Sequence, residues 1–155
     1  MRFFVICGIA AAIATVTPSF VASAQAVLLS PEGAEIERRL RESEQGYDIA
    51  GRRLVIGQTL AEDGKAHHTF PVQRGKTYFS LALCDDACGD IDLIVKDAAG
   101  NVLDNDEAKG ADPVLLFRAD VAGAVEVVVS MKACDEDACE YGLGFHTLRG
   151  NGGRN

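Results

Sequence analysis

Cysteines and acidic side chains are the residues whose spacing invites chemistry in this 155-residue chain, which holds 5 Cys and 23 Asp or Glu. Four of the cysteines form two tight pairs, Cys84-Asp-Asp-Ala-Cys88 and Cys134-Asp-Glu-Asp-Ala-Cys139. An even number of thiols in an exported chain reads as disulfides. The rival is a four-thiolate zinc site, but the spacing is not the usual C-x-x-C and the flanking acids add nothing a structural zinc needs. Four cysteines leave three pairings open. Both loops end Asp-Ala-Cys, as if one device were used twice, which favours Cys84–Cys88 and Cys134–Cys139. Bridges joining the two loops would stabilise more, roughly 4 against roughly 2 kcal/mol, but they require the loops to meet. Thioredoxin-like redox chemistry is not expected, since neither the C-x-x-C spacing nor a basic neighbour to activate a thiol is present.

The acids gather in three stretches: Asp85, Asp86, Asp90 and Asp92; Asp104, Asp106 and Glu107; and Asp135, Glu136, Asp137 and Glu140. Calcium takes six to eight oxygens from flexible loops, which makes Asp90, Asp92, Asp104 and Asp106 a candidate calcium set. No EF-hand loop is present, because the glycine and the final glutamate that should follow Asp104-Asn105-Asp106 are misplaced. The plainer reading is a solvated rim that keeps the protein soluble, with Asp92 and Asp104 bonding turn backbone. If the two cysteine loops lie at one end of the fold, Asp85, Asp86, Asp135, Glu136 and Asp137 form a rigid rim for a cationic partner or a divalent ion. The competing expectation is that the bridges only protect against unfolding and proteolysis.

His67 and His68 are adjacent, so in a strand they point to opposite faces and do not chelate one metal. With His146 they are expected at the surface. Ser30, Ser43, Ser80 and Ser130 sit in no nucleophile motif such as Gly-x-Ser-x-Gly, and no Trp offers a sugar platform. The expectation is a non-enzymatic protein without an obligatory cofactor; a small hydrolase is the remote alternative.

The elements that must position these residues begin after an export signal. Met1-Arg2, the apolar run Phe3–Val16 and an A-x-A end are what a signal peptidase reads; Ala22-Ser23-Ala24 and Ala24-Gln25-Ala26 both fit, and cleavage after Ala26 is favoured. Pro18 and the shortness of the run argue against a membrane anchor. Cys7 falls in the removed segment and lacks the small residues before it that a lipoprotein site needs. The formal net charge of −8 argues against nucleic acid and anionic membrane as partners, and no later run reaches membrane length. One domain follows.

Residues 27–51 are expected as a helical or linker prelude. Ser30-Pro31-Glu32 is a helix start, and Ile36 and Leu40 make a narrow apolar stripe on an otherwise solvated helix. From residue 52 to 148 short strands separated by turn signals are expected, at Arg53–Ile56, Ala66–Val72, Thr77–Leu83, Ile91–Lys96, Asn101–Leu103, Val114–Arg118, Val125–Met131 and Tyr141–Thr147. Period-2 alternation is clear in three: Phe79, Leu81 and Leu83 share a face, as do Ile91, Leu93 and Val95, and Val125, Val127, Val129 and Met131. The fold class is therefore all-β, an antiparallel sandwich or jelly roll of about eight strands with a short N-terminal helix. Residues 149–155 read as a flexible tail.

Gly57-Gln58-Thr59-Leu60, Phe70-Pro71-Val72, Gly75-Lys76-Thr77-Tyr78, Gly89-Asp90-Ile91-Asp92-Leu93, Asp97-Ala98-Ala99-Gly100-Asn101, Asp112-Pro113 and Ala122-Gly123 together resemble the bacterial pre-peptidase C-terminal domain family. The likeness spans about residues 52–147, and the Gly-Asp-x-Asp-Leu step followed by Asp-x-x-Gly-Asn is its most specific part. It implies a non-catalytic β-sandwich of the kind appended to secreted peptidases, some of which bind calcium or polymers. This chain departs from the pattern in having no enzyme attached and in placing Val125 where tyrosine is frequent. The expectation is an exported binding module, periplasmic or secreted, with a protein or polymer partner.

Overall fold

Eight strands and one helix account for most of residues 29–150, the part that the computed structural model describes. The expected signal segment, Val27, Leu28 and residues 151–155 lie outside it. Helix α1 (Pro31–Ser43) precedes β1 (Ile49–Leu60), β2 (Lys65–Val72), β3 (Thr77–Cys84), β4 (Cys88–Lys96), β5 (Val102–Asp106), β6 (Val114–Arg118), β7 (Gly123–Cys134) and β8 (Cys139–Leu148). The strands form two antiparallel sheets, ordered β1-β8-β3-β6 and β2-β7-β4-β5. Only the β4–β5 connection stays within a sheet; every other one crosses between the two. That interleaving is the eight-strand jelly roll.

The inner faces supply one core. Ile91, Leu93 and Val95 on β4 and Val125, Val127, Val129 and Met131 on β7 meet Tyr78, Ala82, Leu143 and Phe145 from the other sheet. Phe70 stacks on Phe145 at 4.3 Å between centroids, and Tyr78 packs on Phe145 at 5.3 Å, geometry that adds to simple burial.

A second core lies outside the first sheet, and it alters the expectation for the prelude. Ser30 caps α1 by accepting from Gly33 N at 2.8 Å, with Pro31 in the first turn. Its apolar stripe is not solvated: Ile36 and Leu40 are 1% and 0% exposed, packed with Phe79, Leu81, Leu83 and Leu148. Burying two such side chains contributes about 2 kcal/mol each. The molecule is therefore three layers, helix on sheet on sheet. Gly142 on β8 allows the helix to approach, since a Cβ there would lie 2.6 Å from Ile36 Cγ2 and 3.0 Å from Leu40 Cδ1. β1 starts at Ile49, ahead of the boundary expected at 52, because Ile49 joins this outer core. Arg149, expected as the start of a loose tail, donates its amide to Asp48 O at 2.7 Å and pairs with the Asp48 carboxylate.

Candidate functional site

Both cysteine pairs close on themselves. Cys84–Cys88 clips the crossover from β3 to β4, and Cys134–Cys139 the crossover from β7 to β8; each has a Cα–Cα distance of 5.9 Å. Cys88 and Cys134 are register partners across β4 and β7, so the two loops lie side by side at one end. They are bonded into one body. Asp135 N donates to Ala87 O at 2.9 Å and Asp85 N to Glu140 O at 3.0 Å. The Asp85 carboxylate accepts from Ala87 N at 3.2 Å and from Glu140 N at 2.5 Å. Glu62 Oε2, from the β1–β2 crossover, accepts from Cys134 N at 3.3 Å.

Of the five acids expected at the rim, Asp86, Asp135, Glu136 and Asp137 are exposed, whereas Asp85 is half-buried and bonds the loops together. Helix α1 adds what the sequence reading did not assign. It flanks the loops to form a groove of about 530 Å³ lined by Glu32, Glu35, Asp85, Asp86, Glu136 and Glu140, with Arg39, among the described residues, the single cation of the lining. Arg39 is held in place by donating to Cys84 O at 3.1 Å. Ser30 Oγ, besides capping the helix, donates to Glu140 Oε2 at 2.6 Å and so fastens α1 to the start of β8. The hydrogen bond from Arg38 holds the Glu35 carboxyl below its ordinary range and pairs its charge. The available sequence signal was Ser30-Pro31-Glu32 with Glu35, but only the packing of Ile36 and Leu40 brings that turn beside the loops.

Three of the four candidate calcium residues hold backbone. Asp90 Oδ1 accepts from Gly110 N at 2.9 Å. Asp104 Oδ2 accepts from Leu116 N at 2.8 Å, and Asp106 Oδ2 from Val114 N at 2.9 Å, so β5 reaches across to the free edge of β6. Asp92 is buried; that burial, with Asp90 nearby, pushes its pKa up. Among the described residues no group of three or more His, Cys, Asp or Glu side chains is placed to hold a metal ion.

His67 and His68 do face opposite ways: His67 Nδ1 lies 3.1 Å from Glu126, and His68 Nε2 lies 2.8 Å from the Tyr141 hydroxyl. Burial pushes the Tyr141 pKa up to about 12 and, with His67 beside it, the His68 pKa down. His146 corrects the surface expectation. It is fully buried beneath the end of α1, 3.1 Å from the buried Glu44 carboxylate but outside hydrogen-bonding geometry, and Glu44 also takes Arg52 Nε at 2.6 Å. Ser80 Oγ donates to Gly144 O at 2.8 Å.

No family model matches this chain, and no curated protein matches it. Several solved structures are similar in part. One is Aeromonas hydrophila PliG, a periplasmic inhibitor of g-type lysozyme, at 10% identity over 68% of this chain and 90% of that one, with a TM-score of 0.49. Another is the coconut allergen cocosin, at 13% identity over 71% of this chain and 31% of that one, with a TM-score of 0.27.

Proposed function

We propose that this chain is an exported, non-catalytic binding module that receives a cationic protein or polymer in the groove between α1 and the two disulfide loops. The observation that carries the reading is the groove itself, where the described lining sets six carboxylates, Glu35 alone of them paired with Arg38 on the helix, against the Arg39 guanidinium on a doubly bridged frame. Like charges gathered in one concavity repel, and bridged, hydrogen-bonded walls do not splay apart to relieve the strain. A lysine or arginine side chain entering the groove does relieve it. Because the loops are already ordered, binding loses little conformational entropy, and the surrounding field steers a basic partner inward. The disulfides fit an oxidising compartment, which agrees with the Ala24-Gln25-Ala26 signal end. A member of the pre-peptidase C-terminal family, as the resemblance of the Gly89–Leu93 step suggests, would have such a role.

The test is binding of the bridged protein to a panel of basic proteins, a g-type lysozyme and cytochrome c among them, by calorimetry at two salt concentrations. Glu32→Lys, Asp86→Lys and Glu136→Lys together are expected to weaken the recovered interaction at least about tenfold, and salt to weaken it in the unmodified protein. Unchanged affinity in a folded triple variant would overturn the reading. Asp85 and Glu140 are left alone because they hold the loops and the helix.

A further inference from the structure

Eight arginines lie among the described residues, and six have partners. Arg38 and Arg41 pair with acids one helical turn away, Arg52 with Glu44 and Arg149 with Asp48. Arg39 and Arg53 donate to the carbonyls of Cys84 and Pro71. Arg74 and Arg118 have no partner among the described residues, and they line the same depression of about 380 Å³, with Gly75, Ala119 and Asp120. This is the end of the sandwich remote from the disulfides: β3 runs from Thr77, beside Arg118 in register, to Cys84.

We propose that this depression is an oxyanion site in which Arg74 and Arg118 together hold a carboxylate or phosphate group. Its frame is fixed. Gly75 N donates to Ala119 O at 2.7 Å and Ala119 N to Lys76 O at 3.0 Å, which ties the β2–β3 turn carrying Arg74 to the residues after β6 that follow Arg118. Gly75 has φ +78°, a conformation that side chains resist, and a Cβ there would sit 3.6 Å from Arg118 Nη2. The glycine thus forms the turn, directly beneath the guanidinium, which even a Cβ would reach in van der Waals contact. Two unpaired guanidiniums in one hollow repel each other, and a planar or tetrahedral oxyanion, offering several acceptor oxygens to their forked donors, removes that repulsion. Asp120 on the wall opposes a second negative charge and makes the site weak and selective for small groups. The site is independent of the acidic groove.

The experiment uses the full, disulfide-bonded protein and follows backbone amide resonances while inorganic phosphate, succinate or, as an ionic-strength control, sodium chloride is added. Saturable shifts at Gly75 and Ala119 with a Kd of about 1–10 mM are expected for at least one of the two oxyanions and not for chloride. Response to succinate alone assigns a carboxylate ligand, and response to phosphate alone a phosphate ligand. Arg74→Ala with Arg118→Ala is expected to weaken binding at least about tenfold, and Asp120→Asn to tighten it. Equal responses to chloride, no saturation, or binding that survives the double substitution would each overturn the proposal. Both arginines are solvent-exposed, so an unchanged melting temperature verifies that the variants remain folded.

Discussion

The imidazole of His146 lies between the Glu44 carboxylate and the Phe79 ring, with Arg52 bonded to the far oxygen of Glu44. Burial pushes its pKa down to about 4; Glu44 offsets part of this and Arg52 adds to it. The folded protein therefore refuses a proton that the unfolded chain accepts below about pH 6.5. Stability at neutral pH includes this contribution in full, loses it progressively as pH falls from about 6.5 to about 4, and levels off below. The shift corresponds to at most about 3 kcal/mol. Denaturant titrations at a series of pH values are expected to show that slope in the native sequence and a shallower one in His146→Phe. A difference between the two that does not vary with pH would contradict it. His68 acts with the same sign, and Asp92, whose pKa is raised, with the opposite one, so the comparison with the variant isolates His146. That His146 is buried was not legible from its type. The clue lay in its neighbours, because β8 is buried on both faces from Tyr141 to His146.

Among the elements, the strands were the legible part, since alternation is a local signal. Each expected strand is present, and most run longer than their apolar residues suggest. β5 covers Val102–Asp106 rather than Asn101–Leu103 because its aspartates bond the neighbouring edge, which composition alone presents as a loop. Helix α1 was harder to judge. Two apolar residues look too few to dock it, yet Phe79, Leu81 and Leu83 face it from β3 while Tyr78 and Ala82 face the inner core. A strand apolar on both faces requires a layer on each. The two bridges give a prediction at this scale. Replacing either cysteine pair by alanine is expected to cost about 2 kcal/mol by loop-closure entropy. The loops share hydrogen bonds through Asp85, Ala87, Asp135 and Glu140, so removal of both should depart from the sum by at least about 0.5 kcal/mol. Strict additivity in urea midpoints would show that the loops do not support one another.

On the scale of the whole molecule, charge is sorted by position. Carboxylates collect at the bridged end around α1, while the two unpartnered arginines occupy the other. The sequence could not show this sorting, because the groove joins Glu32, Asp86 and Glu136 from three distant parts of the chain. The same distance explains why Asp90 and the acids of β5 looked like cation ligands: their targets are backbone amides across the fold.

Those amides matter beyond local geometry. β6 ends its sheet, presents Val114 and Leu116 to solvent, and has the makings of a template onto which a strand from another molecule could add. Asp104 and Asp106 occupy the outward amides of Leu116 and Val114, in the spacing an incoming strand would need. Asp104→Ala with Asp106→Ala is expected to cost about 1 kcal/mol per hydrogen bond, a modest loss of stability. Its larger effect should be on colloidal behaviour, with oligomers or thioflavin-positive fibrils appearing in light scattering and dye-binding assays of a still-folded protein. A variant that stays monomeric at high concentration would show that the edge needs no such guard. In the proposed exported setting, where no ATP-driven chaperone would redissolve an aggregate, the expected outcome would make two short side chains the device that keeps the protein dispersed.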